Sequence, residues 1–259
     1  MANTALKQGW QLATVKAIKH ETEDVKTFML EPERGEFRFV AGQHIDVRLT
    51  APDGYQAQRS YSIASPPERE SCIDITIELL EDGEVSPYFH YAVENDDKIE
   101  IRGPIGGPFT WRAQPNTKLL LVGGGSGVVP LMSMLRHRAA SGYADSVPAV
   151  LLYSSRTENH IIYRGELGDL DAADPNLSVL HTLTRHQPSG WTGRRRRVDI
   201  DLMRDAIATL DGISPASEAE ILCYICGPSD FVENSAQFAV ELGIPPINVR
   251  TERFGPTGT

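Results

Sequence analysis

Cysteine is scarce in this chain: Cys72, Cys223 and Cys226 are the three among 259 residues. Three cannot build a disulfide framework, nor supply the four thiolates that an iron–sulfur cluster takes. Cys223 and Cys226 have the spacing of a redox pair, yet they lie in the apolar run "ILCYIC". Residues three apart on a strand face opposite sides, so that pairing is excluded, and a reduced, cytoplasmic protein is the simplest reading. Net positive charge is also missing. The formal charge of -10 argues against nucleic acid and anionic membrane surfaces as partners, and the local run Arg194 to Arg197 reads as a solvated loop edge. Long hydrophobic runs are absent. The longest uncharged stretch, Leu119 to Leu135, has 17 residues but holds four glycines and a proline, which suits a strand, loop and helix better than a membrane span. The opening "MANTALKQGW" lacks the apolar segment of a secretory signal. No repeat or low-complexity segment is visible, and no metal-ligand spacing stands out.

What is present divides into two rhythms. Up to about residue 113, short β-rich runs alternate with turns: "WQLATVKAI", "VKTFMLE", "HIDVRLT", "QRSYSIA", "CIDITIELL" and "KIEIRGP". Short strands at this spacing predict a six-stranded antiparallel β-barrel or a sandwich, with "SPYFHYAV" as one short helix. Beyond residue 114, unbroken apolar runs ("KLLLVGG", "PAVLLYSS", "LSVLHTLT", "EILCYIC", "INVRTERF") alternate with helix-like segments. That pattern predicts an α/β unit with a parallel five-stranded sheet covered on both faces. Two domains are expected, 1–113 and 114–259.

The second unit opens on a strand, a glycine-rich turn and a helix. Gly123, Gly124, Gly125 and Gly127 would let the backbone approach a diphosphate, with the free amides and positive end of the next helix to receive it. The match to G-x-G-x-x-G is imperfect, because Val128 or Pro130 stands at the last position. No acid ends the second strand to hold a ribose hydroxyl. Ser154, Ser155 and Arg156 stand there instead, and Thr184 and Arg185 end the third strand. Arginine and hydroxyls suit a 2′-phosphate, which favours NADP and leaves NAD possible.

In the first unit, Arg59 and Tyr61 share a strand face, and together they suit a flat, anionic guest. A cross-strand tyrosine and a surface arginine would look the same. "GEVSP" then places Gly83, Val85 and Ser86 ahead of the short helix, with Ser86 as its expected N-cap and Pro87 at the first helical position. "RGPIGGPF" supplies a glycine-rich turn before the domain boundary.

In this order, R-x-Y-S, G-x-V-S, G-P-x-G-x-F, G-G-G-x-G-x-x-P and C-G-P, the motifs resemble those of the ferredoxin–NADP reductase family, over about Gly9 to Pro256. The resemblance implies FAD in the barrel and NADP in the second domain. It carries Arg59 to the FAD diphosphate, Tyr61 to stacking on the flavin and Ser62 to the neighbourhood of flavin N5. The last role needs the strand to bend or end there. It carries Gly83, Val85 and Ser86 to the diphosphate, and Cys226, Gly227 and Pro228 to the nicotinamide. Glu252 and Phe254 match the family's Glu-x-aromatic ending, with the ring on the second flavin face. Five residues follow, and "FGP" looks more like the reductase domain of flavohaemoglobins. Ser62, Cys226, Glu252 and Phe254 are thus the implied catalytic set. The implied activity is an NADPH-dependent flavoprotein reductase without a fused iron–sulfur domain. It passes electrons to a separate one-electron acceptor such as ferredoxin or flavodoxin, or serves as the reductase subunit of a two-component oxygenase or molybdenum oxidoreductase. An acidic ferredoxin would need a basic patch, for which Arg34, Arg38 or the Arg194–Arg197 run are the candidates.

Overall fold

The computed structural model describes residues 9–213 and 219–254. The first 105 residues supply six strands: β1 (Gln11–His20), β2 (Val25–Pro32), β3 (His44–Thr50), β4 (Gln56–Ser62), β5 (Ile73–Glu78) and β6 (Lys98–Ile105). All neighbouring pairs are antiparallel, in the order β4-β3-β6-β1-β2-β5. An isolated bridge between Ile63 and Ile75 brings the two ends of the sheet together, which closes the barrel. Its interior is filled by Phe28, Leu30, Ile45, Val47, Ile63, Ile75 and Ile101, all fully buried. Each large apolar side chain so buried contributes roughly 1.5–3 kcal/mol. The short helix α1 (Ser86–Tyr91) plugs one side of the barrel through Phe89, whose ring meets Phe28 edge-on at 4.9 Å.

The second sheet is parallel, in the order β11-β10-β7-β8-β9. Its strands are β7 (Thr117–Gly124), β8 (Ala149–Ser155), β9 (Leu177–Leu183), β10 (Glu220–Gly227) and β11 (Val249–Arg253). The helices are α2 (Val128–Ala140), α3 (Arg164–Ala173), α4 (Ile200–Ile213) and α5 (Ser229–Glu241). α2 and α3 cover one face and α4 and α5 the other, so β7 is buried at every position. This accounts for its continuous apolar run. Cys223 and Cys226 belong to the cores on opposite faces of β10, both as free thiols.

Along β5, "IDITIE", the outward Asp74 and Thr76 are buried as well as the inward apolar residues. The second sheet's layer packs onto that outer face. The Thr76 hydroxyl is hydrogen-bonded to Thr27 at 2.8 Å and to the phenol of Tyr163. Tyr163 holds a left-handed backbone (φ 58°) at the start of α3 to reach it. Nearby, Ser133 Oγ donates to Ser65 O at 2.7 Å, and Arg136 donates to Ala64 O at 2.7 Å while gripping Glu166. Tyr224 closes the far side by donating to Thr110 O at 2.9 Å. Among the described residues no helix is long and apolar enough to cross a membrane.

Candidate active site

The two sheets enclose a cleft of about 1460 Å³. Single-ligand pockets are usually about 300–1,000 Å³, so this one has room for two sizeable groups. It is walled on the barrel side by Gln58 to Ser62 and by Gly83 to Ser86. On the other side stand Gly124 to Ser126, Ser154 to Arg156, Thr184, Pro228 and Glu252 to Phe254.

Strand β4 builds the barrel wall because it ends the sheet order. It pairs with β3 alone along residues 56–62 and leaves its other edge toward the cleft. Residues from both faces of the strand therefore reach the same space. Tyr61 packs inward near Phe89 (6.2 Å between rings), and burial pushes its phenol pKa up. Ser62 is the last residue of the strand, 4% exposed, and its Oγ has no hydrogen-bond partner. The strand ends where the Ser62 role requires it to, and no bend within it is needed. Arg59 donates to its neighbour's carbonyl, Gln58 O, at 2.6 Å and pairs with Glu84 at 3.6 Å.

The short helix departs from expectation in its cap. Val85 occupies the cap position and Ser86 is the first helical residue. The Ser86 hydroxyl instead accepts from the Leu80 amide at 3.0 Å, which ties the turn 80–86 into one unit.

The glycines of the second sheet divide into two kinds. Gly124 and Gly125 line the cleft, and Gly125 takes a φ of 56° that favours glycine. Gly123 and Gly127 do not line it. A Cβ on Gly127 would lie 2.2 Å from Cys226 O, and one on Gly123 would crowd Leu131 at 3.2 Å. These two are small so that α2 can pack on β7 and β10, a reason different from phosphate contact. The first turn of α2 has no side-chain cap and no acid; the Val128 amide is taken by the carbonyls of Gly125 and Ser126, so it is the short turn Gly125–Gly127 ahead of the helix that faces an anion.

Ser155, at the end of β8, is 4% exposed, and its hydroxyl neighbours the buried Tyr153 phenol. Arg156 and Thr184 stand beside it, and Thr184 Oγ1 donates to Ser155 O at 3.3 Å. Arg185 is an exception to the expected set: it is exposed, outside the cleft lining, and its backbone amide donates to Arg156 O at 2.9 Å. Arg197 also lines the cleft. Its three companions in the arginine run point elsewhere, with Arg194 on Asp205, Arg196 on Asp199 and Arg195 on Trp191 O.

At the third wall, Cys226 is fully buried beneath the surface and does not line the cleft, and neither does Gly227. Burial, then the adjacent Glu252, holds the Cys226 thiol well above its ordinary pKa, so it stays protonated. Gly227 is tight for packing: a Cβ there would meet the Phe231 ring at 2.9 Å. Glu252 does line the cleft. Burial raises its pKa to about 7, and Oε2 has no partner. Phe254 follows, with its amide bonded to Gly227 O at 2.9 Å. The "GPTGT" tail, and with it the "FGP" comparison, lies outside the described residues. Sequence reading missed His44, Arg197 and Phe231, which also line the cleft. His44 stands opposite Ser62 in the ladder, a relation that only strand register reveals.

Ser62 and Glu252, which both line this cleft, thus each carry a buried polar atom without a hydrogen-bond partner. Buried polar groups are nearly always satisfied. Orphans converging on a two-walled cleft fit ligands that carry their own donors and acceptors, as a flavin and a nicotinamide nucleotide do.

Two antiparallel and parallel sheets facing such a cleft define a flavin- and nicotinamide-nucleotide-binding oxidoreductase, and the comparisons agree. Residues 10–110 match the oxidoreductase FAD-binding domain and residues 121–237 the oxidoreductase NAD-binding domain. A ferredoxin–NADP reductase B of Sorangium cellulosum is 33% identical over 241 residues, covering 93% of this chain and 91% of the relative. The chain belongs to the ferredoxin–NADP reductase family. The glycine betaine monooxygenase reductase subunit of Chromohalobacter salexigens is 32% identical over 94% of this chain. The chain spans 63% of that relative's length. In fold, a ferredoxin NADP+ reductase from Neisseria gonorrhoeae with bound FAD and NADP superposes with a TM-score of 0.76 at 22% identity, covering 94% and 98% of the two chains.

Proposed function

We propose that the chain is an NAD(P)H-dependent flavoprotein reductase that takes electrons from NADPH through FAD to a separate one-electron acceptor, of which ferredoxin and flavodoxin are the models. The observation that carries this reading is one cleft between the two sheets, lined from the barrel by Ser62 and from the parallel sheet by Glu252, each with a buried polar atom that lacks a hydrogen-bond partner. When bound, the cofactors supply the redox chemistry, a two-electron exchange between rings followed by single-electron steps outward. The protein supplies position, charge and dryness. Arg59 leaves Glu84 for the flavin diphosphate, supported by the backbone of Gly83 and Val85. Tyr61 and Phe254 flank the flavin and exclude water. Ser62 offers a hydroxyl at the strand end, and Glu252, protonated below about pH 7, holds a proton beside it. Gly124, Gly125 and the turn ahead of α2 take the nucleotide diphosphate, with Pro228 beside the nicotinamide. Ser155, Arg156, Thr184 and Arg197 take the 2′-phosphate. Cys226 acts from beneath, by its small size and its proximity to Glu252. In this reading residues 1–113 hold the flavin and 114–259 the nucleotide, and the cytoplasm is its place of work.

A second reading, the reductase component of an oxygenase system, is favoured by the similarity to the glycine betaine monooxygenase reductase subunit. Both readings require that the purified chain retain FAD and oxidise NADPH with ferricyanide as acceptor. Failure to bind FAD refutes both. Turnover with a purified ferredoxin or flavodoxin, but not with an oxygenase component, decides for the first, and the reverse for the second.

A further inference from the structure

Markedly exposed large hydrophobic side chains are few among the described residues, and four of the six lie on one face: Tyr55, Leu80, Tyr88 and Tyr91, at 56%, 49%, 43% and 69% exposed. Hydrogen bonds join them through a single turn. The Tyr55 phenol donates to Glu84 at 2.5 Å, the Tyr91 phenol donates to Glu81 at 3.1 Å, and Leu80 is tied to Ser86 at the start of α1. Tyr88 and Tyr91 stand three apart on that helix and so point the same way. Leu80 and Glu84 also line the cleft, which puts this face at its mouth. Contiguous exposed apolar surface rimmed by polar groups marks an interaction site.

The charge of the face is one-sided. From residue 78 to residue 97 the chain has seven carboxylates and no lysine or arginine. Of the cations beside it, Arg59 is paired with Glu84 at 3.6 Å and Lys98 with Glu33 at 2.5 Å, while Lys26 donates to His90 O at 2.8 Å. The basic patches expected for an acidic carrier are reduced: Arg38 is paired with Glu36 at 2.6 Å, and Arg194 and Arg196 with aspartates, while Arg34 and Arg195 donate to backbone carbonyls and keep their charge. A second copy of this chain would bring one acidic face against another, and an anionic membrane would be repelled.

We propose that this aromatic, acidic face is the docking surface for an electron-carrier protein whose own face is rich in lysine and arginine around an apolar centre. The proposal rests on the reading of the chain as a reductase with a separate acceptor. It reverses the charge expected if that acceptor were an acidic ferredoxin.

The test uses the full chain loaded with FAD, NADPH as donor, and three acceptors: cytochrome c as a basic carrier, an acidic [2Fe–2S] ferredoxin, and ferricyanide, which needs no docking face. The expected KM for cytochrome c is lower than for the ferredoxin at low ionic strength and rises about tenfold as salt is added. Glu81→Lys with Asp82→Lys raises the cytochrome c KM about tenfold at low salt and flattens its salt dependence. Tyr88→Ala with Tyr91→Ala raises it at all salt concentrations. In both variants the ferricyanide rate is unchanged. The proposal is overturned if the ferredoxin is the better substrate, if the charge reversal leaves the cytochrome c KM unaltered, or if the variants change only the oligomeric state of the chain. Absence of ferricyanide reduction in the unmodified protein refutes the reductase reading instead, and the docking proposal with it.

Discussion

The barrel and the parallel sheet present their ligands by opposite means. The barrel offers the free edge of β4, so that neighbouring residues Arg59, Tyr61 and Ser62 act from one short stretch of chain. The parallel sheet offers strand ends, and its contribution is scattered over Gly124, Ser155, Thr184, Arg197 and Glu252. One difference follows directly. In the barrel the motif residues Arg59, Tyr61, Ser62, Gly83, Val85 and Ser86 all line the cleft. In the parallel sheet a motif residue is as often a spacer, because backbone must come close to backbone before any phosphate can be held.

The spacer role gives the largest expected effect. Gly127→Ala places a Cβ 2.2 Å from Cys226 O and should destabilise the protein by more than about 3 kcal/mol. Gly125→Ala meets no atom within 4 Å and should cost only about 1–2 kcal/mol for its left-handed backbone. Thermal unfolding without cofactors checks both, and equal losses would erase the distinction between spacer and contact glycines.

Next comes the contact role in the barrel. Arg59→Ala removes a charge-assisted partner worth about 1.5–3 kcal/mol. FAD affinity, read by flavin fluorescence, should fall tenfold or more while NADPH binding is preserved. Parallel loss of both affinities would mean that the two halves do not act separately.

Glu252 lies where the halves meet, and its effect is intermediate. Its pKa rises from 4.5 to about 7 in the folded state, so the folded protein binds more protons than the unfolded chain between those values. Both states are protonated below about pH 4.5, and there is no penalty there. The penalty grows as pH rises to about 7 and is constant above it. Because the side chain is not fully buried, about 1–2 kcal/mol is expected. Glu252→Gln should therefore gain melting temperature relative to the unmodified protein at pH 8 and not at pH 4.5. The same gain at both pH values would remove the titrating carboxyl from the account.

The smallest effect distinguishes contacts within the parallel sheet. Arg156→Ala should raise KM for NADPH about tenfold and leave KM for NADH unaltered. Arg185→Ala should change neither, since that side chain lies outside the cleft lining. Steady-state kinetics with the two donors reads the difference, and a larger effect from Arg185 would reverse the assignment.

The sequence carried the architecture well, because each half buries its strands in a way that leaves a period: alternation in the barrel, continuous apolar runs under two helical layers. All four helices of the parallel sheet fall within a few residues of the segments singled out by pattern. In β5 the outer face is covered by the other half, which a period-two pattern does not reveal, since it records polarity rather than exposure. Within the site, residues close together in the chain, such as Arg59 to Ser62, were legible. His44 was hidden because its relation to Ser62 is a matter of register. Arg197 was hidden beside three identical neighbours whose directions are set by Asp199, Asp205 and Trp191. Cys226 was legible as part of an apolar run, and the structure adds that it is fully buried beneath the cleft surface.

The central claim is that one cleft between two sheets brings a flavin and a nicotinamide together. Anaerobic rapid mixing of the FAD-loaded protein with NADPH tests it most directly. The account predicts loss of the oxidised flavin's visible absorbance with one equivalent of NADPH, faster than with NADH. A flavin that stays oxidised while NADPH is demonstrably bound would contradict it.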